Sequence, residues 1–77
     1  MSIHVIFFGP LQDLTGTNTI TCNYQPDTNQ LIAEMENKYP KLIDAAYSIA
    51  VNKTIINNNT LLNIDSTVAL LPPFSGG

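Results

Sequence analysis

Only one stretch of this chain repeats apolar residues at helical spacing. In YQPDTNQLIAEMENKYP, Leu31, Ile32, Met35 and Tyr39 share a stripe, and Pro40 stops the helix from its far side. Asp27 or Thr28 can cap its start, and Asp27 with Gln30 approximates a capping box. A lone amphipathic helix has no second helix to pack on. It must bury its stripe on one face of a small sheet.

The strands for that sheet are short. Residues 3–8 (IHVIFF) are rich in β-formers and run into Gly9-Pro10, a strong breaker. Alternation puts Ile3, Val5 and Phe7 on one face and His4, Ile6 and Phe8 on the other. Residues 11–15 read as a turn-like segment closed by Gly16, and residues 19–23 (TITCN) as the second arm of a hairpin. After the helix, residues 47–52 (YSIAVN) alternate, with Ile49 and Val51 on one face. Residues 54–56 form a short strand before the Asn57-Asn58-Asn59 turn, and residues 68–71 form the last strand, ended by Pro72-Pro73. The expected class is α+β, in the order β-β-α-β-β-β. This is the ubiquitin-like β-grasp arrangement, with the first and last strands adjacent and parallel. One domain over residues 1–71 would carry an extended tail over residues 72–77 that leaves from the centre of the sheet.

Composition narrows the function. A chain of 77 residues buries only about 60% of the surface it exposes when unfolded, so partner surfaces matter to it. It is 44% hydrophobic and 12% charged, with net charge −3, three Lys and no Arg. Without the guanidinium fork, nucleic-acid binding is not expected, and any phosphate chemistry would belong to a partner. A single cysteine, Cys22, allows no internal disulfide. The start shows no leader pattern, and no apolar run approaches the roughly 18 residues of a membrane span. A cytoplasmic protein is expected.

No self-contained reaction centre is visible. His4 is expected on the outward face of its strand, and Cys22 has neither base nor cation beside it in sequence, so neither suits nucleophilic catalysis. No Cys/His cluster suggests a metal, and no glycine-rich loop suggests a phosphate site. The six carboxylates are scattered, and Glu34 and Glu36, two apart on the helix, do not face each other.

That leaves the ending, PPFSGG. A terminal Gly-Gly can be a frayed end. Here it follows a strand and two prolines, which fix the direction of departure. Two glycines give the smallest cross-section and the greatest backbone freedom. From Pro72 to Gly77 the reach is at most about 20 Å at ~3.3 Å per residue, long enough to enter a neighbouring protein. A carboxylate at Gly77 is a poor electrophile until adenylation supplies a leaving group, and a side chain there would crowd attack at its carbonyl.

The ending VALLPPFSGG resembles the family of small subunits of molybdopterin synthase, sulfur carriers that end in Pro-Pro-x-Ser/Thr-Gly-Gly. The opening IHVIFFGPLQDLTG is similar to the family's first strand and its Leu-x-x-Leu-x-Gly segment, here Leu11, Leu14 and Gly16. IAVN, ending at Asn52, is similar to its third strand. The resemblance spans the chain. Gln12-Asp13 stands where the family often has Arg-Glu, and Asn63-Ile64-Asp65-Ser66-Thr67 where it often has Asp-Gly-Asp-Glu.

The resemblance implies a function. A partner adenylyltransferase similar to ubiquitin-activating enzymes would use ATP and Mg²⁺ on Gly77, and a persulfide donor would convert it to a thiocarboxylate. The tail, with Gly76 beside Gly77, would enter the large subunit of molybdopterin synthase in an assembly of two small and two large subunits. There sulfur would pass to cyclic pyranopterin monophosphate. The chain itself would bind no cofactor. Alternatives are a thiamine-pathway sulfur carrier, a protein-conjugating modifier, and an interaction module without chemistry.

Strand parity separately marks a docking face. If Ile3, Val5 and Phe7 point inward, Phe8 and Ile6 point outward. If Val68 and Leu70 point inward, Leu71 points outward beside Phe8. Large apolar groups on an outer face need cover. The expected interface is Phe8, Ile55 and Leu71, continued by Pro72, Pro73, Phe74 and Ser75. The alternative is a second small core under residues 11–16.

Overall fold

Alternation along the first strand decides the layering. Ile3, Val5 and Phe7 are fully buried, whereas His4 and Phe8 are exposed. The computed structural model describes residues 1–73. The expectations placed on Phe74, Ser75, Gly76 and Gly77 lie outside the described residues.

In chain order the elements are β1 (Ser2–Phe7), α1 (Leu11–Thr15), β2 (Thr19–Asn23), α2 (Thr28–Lys38), a 3-10 helix (Pro40–Asp44), β3 (Ser48–Val51), β4 (Thr54–Ile56) and β5 (Thr67–Leu71). The strands form one mixed sheet in the order β2-β1-β5-β3-β4. β1 and β5 pair in parallel, with Val5 opposite Val68 and Phe7 opposite Leu70; the other pairings are antiparallel. This is the β-grasp arrangement read from the sequence, and the strand that leads into the tail is the middle one.

α2 lies across one face of the sheet. Its buried Leu31 and Met35 join Ile3, Val5, Phe7, Val68 and Leu70 in the core. Tyr39, at the helix end, meets the Phe7 ring edge-on with centroids 5.7 Å apart. Its first turn is fully satisfied. Thr28 N–H donates to the Thr60 carbonyl (2.9 Å), Asn29 N–H to Asn59 Oδ1 (2.8 Å) and Gln30 N–H to Asp27 Oδ1 (2.9 Å). That backbone bond from Gln30, followed by a hydrogen bond from Asn59, holds the Asp27 carboxyl below its ordinary range. On the helix's other flank, the half-buried Tyr47 hydroxyl donates to Glu36 Oε2 at 3.3 Å. Burial first, then the Glu36 charge, pushes Tyr47 up to about 12.

Two segments differ from expectation. Residues 11–15 are helical, not merely a turn. Pro10 precedes the first helical residue, Leu11 buries into the core, and Gly16 closes the C-terminus at φ 76° with its N–H on the Gln12 carbonyl. Residues 40–44 form a 3-10 helix, which the sequence reading left unassigned. Pro40, unable to continue α2, starts it, and Leu42 anchors it in the core. Each is too short to show a full period of apolar spacing.

The departures from the family pattern are accommodated locally. Asp65 takes φ 65°, a left-handed position that Asp tolerates better than most residues. Ser66 N–H donates to the Asn63 carbonyl (3.1 Å), and Asn63 N–H donates to Ser66 Oγ (3.0 Å). Gln12 Nε2 donates to the Phe7 carbonyl at 3.1 Å.

Because adjacent residues of β1 face opposite ways, Phe7→Ala should cost about 3–5 kcal/mol in urea unfolding, with a cavity left under α2. A cost under about 1 kcal/mol would mean that the packing around Phe7 collapses freely.

Candidate docking face and tail exit

The face of the sheet away from α2 carries a shallow groove of about 590 Å³. Register explains its shape. Ala50 of β3 lies opposite Ala69 of β5, which lies beside Ile6 of β1. The two alanines make a low floor, and Phe8, Ile55 and Leu71 stand around it. Phe8 is 42% exposed and Ile55 45% exposed, and Leu71 is half-buried. The expected outward parity of Phe8 and Leu71 is correct. Leu11 and Leu14 under the neighbouring helix pack into the main core, not into a second one.

The groove runs along β5. At one end, Phe8 N–H donates to the Leu70 carbonyl at 3.0 Å, so β1 and β5 stay joined up to the point where Pro72-Pro73 departs. Gly9 supports that departure. It sits at φ 58°, and a Cβ on it would come within 2.9 Å of Pro72 Cγ. At the other end, the β3–β4 connection is the two-residue turn Asn52-Lys53, with φ 48° and 73°. Positive φ at both positions is the type I′ pattern, which twists with the flanking strands. Asn52 fastens this turn to β5: its N–H donates to the Thr67 carbonyl (2.8 Å), and Thr67 N–H donates to Asn52 Oδ1 (2.9 Å).

The strand reading singled out Phe8, Ile55 and Leu71, put Ile6 outward without including it in the interface, and missed Ala50, Ala69, Asn52 and Lys53. The alanines become visible as a floor only once cross-strand register is known. The Asn52-Lys53 turn had a local signal, a polar pair between two apolar runs, but Lys is unusual where such turns prefer Gly.

Among the described residues the titratable side chains do not assemble a reaction centre. His4 stands on the outer face with Nδ1 3.5 Å from Thr21 Oγ1. Cys22 lies opposite Ile3 on the edge strand β2, half-buried against the core and on the other face from His4. Burial first, then the Glu34 charge, pushes its thiol up, against a smaller opposing effect of Lys38. Among the described residues no group of three His, Cys, Asp or Glu could hold a metal ion. Nor is any described helix long and apolar enough to cross a membrane.

A β-grasp domain with an apolar groove on the sheet face away from its main helix falls in the ubiquitin-like class. Over residues 5–77 it matches the ThiS family, and the chain belongs to that family. The molybdopterin synthase sulfur carrier subunit of Mycobacterium tuberculosis is 28% identical over 82 aligned residues, covering 100% of this chain and 99% of that protein. Subunit 1 in a complex of subunits 1 and 2 of the molybdopterin-converting factor of Helicobacter pylori is 29% identical, with full coverage of both chains and a TM-score of 0.74. A putative molybdopterin converting factor subunit 1 from Pyrococcus furiosus shares the fold at a TM-score of 0.87 and 19% identity, over 96% of this chain and 99% of that one.

With its thiol held protonated, Cys22 should react with iodoacetamide at neutral pH much more slowly in the native chain than in urea. Equal rates in the two states would show that burial does not shield it.

Proposed function

We propose that this chain is the sulfur-carrying small subunit of a molybdopterin synthase. The observation that carries the reading is the apolar groove beside the exit of the tail. A partner covering Phe8, Ile55 and Leu71 receives the tail in the same docking event. The relatives from Mycobacterium tuberculosis and Helicobacter pylori support the same assignment, the latter through its complex with subunit 2.

In this reading the chemistry resides at Gly77. A partner adenylyltransferase joins the Gly77 carboxylate to the α-phosphate of ATP, with Mg²⁺ on the phosphates, and pyrophosphate leaves. A persulfide sulfur attacks the acyl carbon and AMP leaves. A second thiol then cleaves the acyl disulfide, giving the thiocarboxylate and an oxidised donor. Inside the large subunit that sulfur attacks cyclic pyranopterin monophosphate, and water returns Gly77 to a carboxylate. The slender Gly76-Gly77 end admits all these steps without a side chain at the carbonyl. The apolar groove serves binding, and the chain needs no cofactor of its own.

A thiamine-pathway sulfur carrier is the second reading, favoured by the name of the matching family. It shares the tail chemistry and differs in the acceptor, so binding to the large subunit separates the two.

Mass spectrometry tests the chemistry. Incubated with the activating enzyme, ATP and a persulfide donor, the chain should gain the mass difference of sulfur for oxygen at Gly77. Cys22→Ser should gain it equally, and the chain lacking Gly77 should not support molybdopterin formation while melting unchanged. Sulfur uptake that depends on Cys22, or activity without Gly77, would sink the assignment.

Titration calorimetry tests the docking face. Burying a side chain like Phe8 is worth about 1.5–3 kcal/mol. Phe8→Asp should therefore weaken binding to the large subunit by about tenfold or more and barely change the free domain's melting temperature. Unfolding of the free domain would place Phe8 in the core, and unchanged affinity would assign the groove to something else.

A further inference from the structure

Every residue that shapes the groove is uncharged except one. Among the described residues lining it, Lys53 alone carries charge. It is one of only three cations in a chain of net charge −3, and the other two, Lys38 and Lys41, lie at the end of α2 and in the 3-10 helix.

Lys53 also occupies a costly conformation. At φ 73° its Cβ crowds its own backbone, in the second position of a type I′ turn where glycine is the favoured residue. Nothing in the fold of the hairpin calls for a lysine there. Asn52 supplies the bonds to Thr67 that locate the turn. An exposed residue in a strained conformation at a surface rim points to a use outside the free domain.

Resting on the docking reading above, we infer that Lys53 is the specificity-determining charge of this face, and that the large subunit meets it with a carboxylate. Its position sets the geometry of the partner. From Thr67, beside Lys53, to Leu71, beside the tail exit, β5 spans about 13 Å at ~3.3 Å per residue. The complementary surface is thus an apolar strip with the tail channel at one end and an acidic side chain about 13 Å away at the other. Apolar contacts along such a strip tolerate sliding along β5. A single ion pair at the far end fixes the register, so that the tail meets its channel. Among the described residues the groove presents no acidic side chain to repel that carboxylate.

The test uses the full chain and the purified large subunit, with calorimetry at low and high salt and thermal melts of each free variant. Lys53→Gly should raise the melting temperature, because strain is relieved. It should also weaken binding about three- to tenfold at low salt, and the deficit should shrink at high salt as the lost attraction is screened. Lys53→Arg should retain wild-type affinity, and Lys53→Glu should bind more weakly than Lys53→Gly. If Lys53→Gly binds with unchanged affinity and salt dependence while Phe8→Asp weakens binding, the role of Lys53 is overturned and the docking face stands. If Phe8→Asp also binds normally, the docking face falls and takes this inference with it. A lower melting temperature for Lys53→Gly would overturn the argument from strain.

Discussion

The parallel pairing of β1 with β5 is the constraint on which the rest depends. Its register, Val5 against Val68 and Phe7 against Leu70, aligns the inward parities of two strands that lie far apart in sequence. On one side this gives α2 a continuous apolar floor. On the other it brings Phe8 and Leu71 together at the end of the sheet. A slip of one residue would turn Leu71 and Ala69 into the core and Leu70 out to the surface. Core, groove and tail exit therefore share a single register.

That register is held from both ends. At the tail end, Phe8 N–H continues the ladder to the Leu70 carbonyl, and Gly9 leaves room for Pro72. At the opposite end, His4 N–H reaches the Ser66 carbonyl (3.0 Å), and Asn52 brackets Thr67 with two hydrogen bonds. Backbone bonds of this kind carry little net stability each, yet a mispaired register would leave several donors without acceptors in a partly buried sheet. Local groups with demanding geometry, Gly9 and Asn52, stand where the strand must begin and end.

Much of this was legible in the sequence because alternation and helical spacing are local signals. The inward faces of β1 and β5, the long helix and its cap at Asp27 or Thr28 all follow from residues within a few positions of one another; the structure selects Asp27. The misses have a common cause. α1 and the 3-10 helix are too short to display a period, so only their punctuation, Pro10 with Gly16 and Pro40, betrays them. The groove floor of Ala50 and Ala69 exists only across strands, and small residues carry no pattern of their own. Lys53 was passed over because its meaning lies in φ rather than in its neighbours.

The bare face follows from the size of the chain. One long helix can cover one side of a five-stranded sheet, and α1 and the 3-10 helix pack toward that same core through Leu11 and Leu42. Among the described residues no further element covers the opposite side. The outward residues of the three inner strands, β1, β5 and β3, must then be polar, small or covered by another molecule. β5 takes the second course at Ala69 and β3 at Ala50, which keeps the middle of the sheet low. Ile6, Phe8 and Leu71 break that rule, the last two at the end where the tail departs. Apolar bulk thus stands beside the point where Pro72-Pro73 leaves the sheet, and the strained Lys53 stands in the β3–β4 turn at the opposite end of the groove. A domain of this size stabilises itself on one face and leaves an apolar groove open on the other.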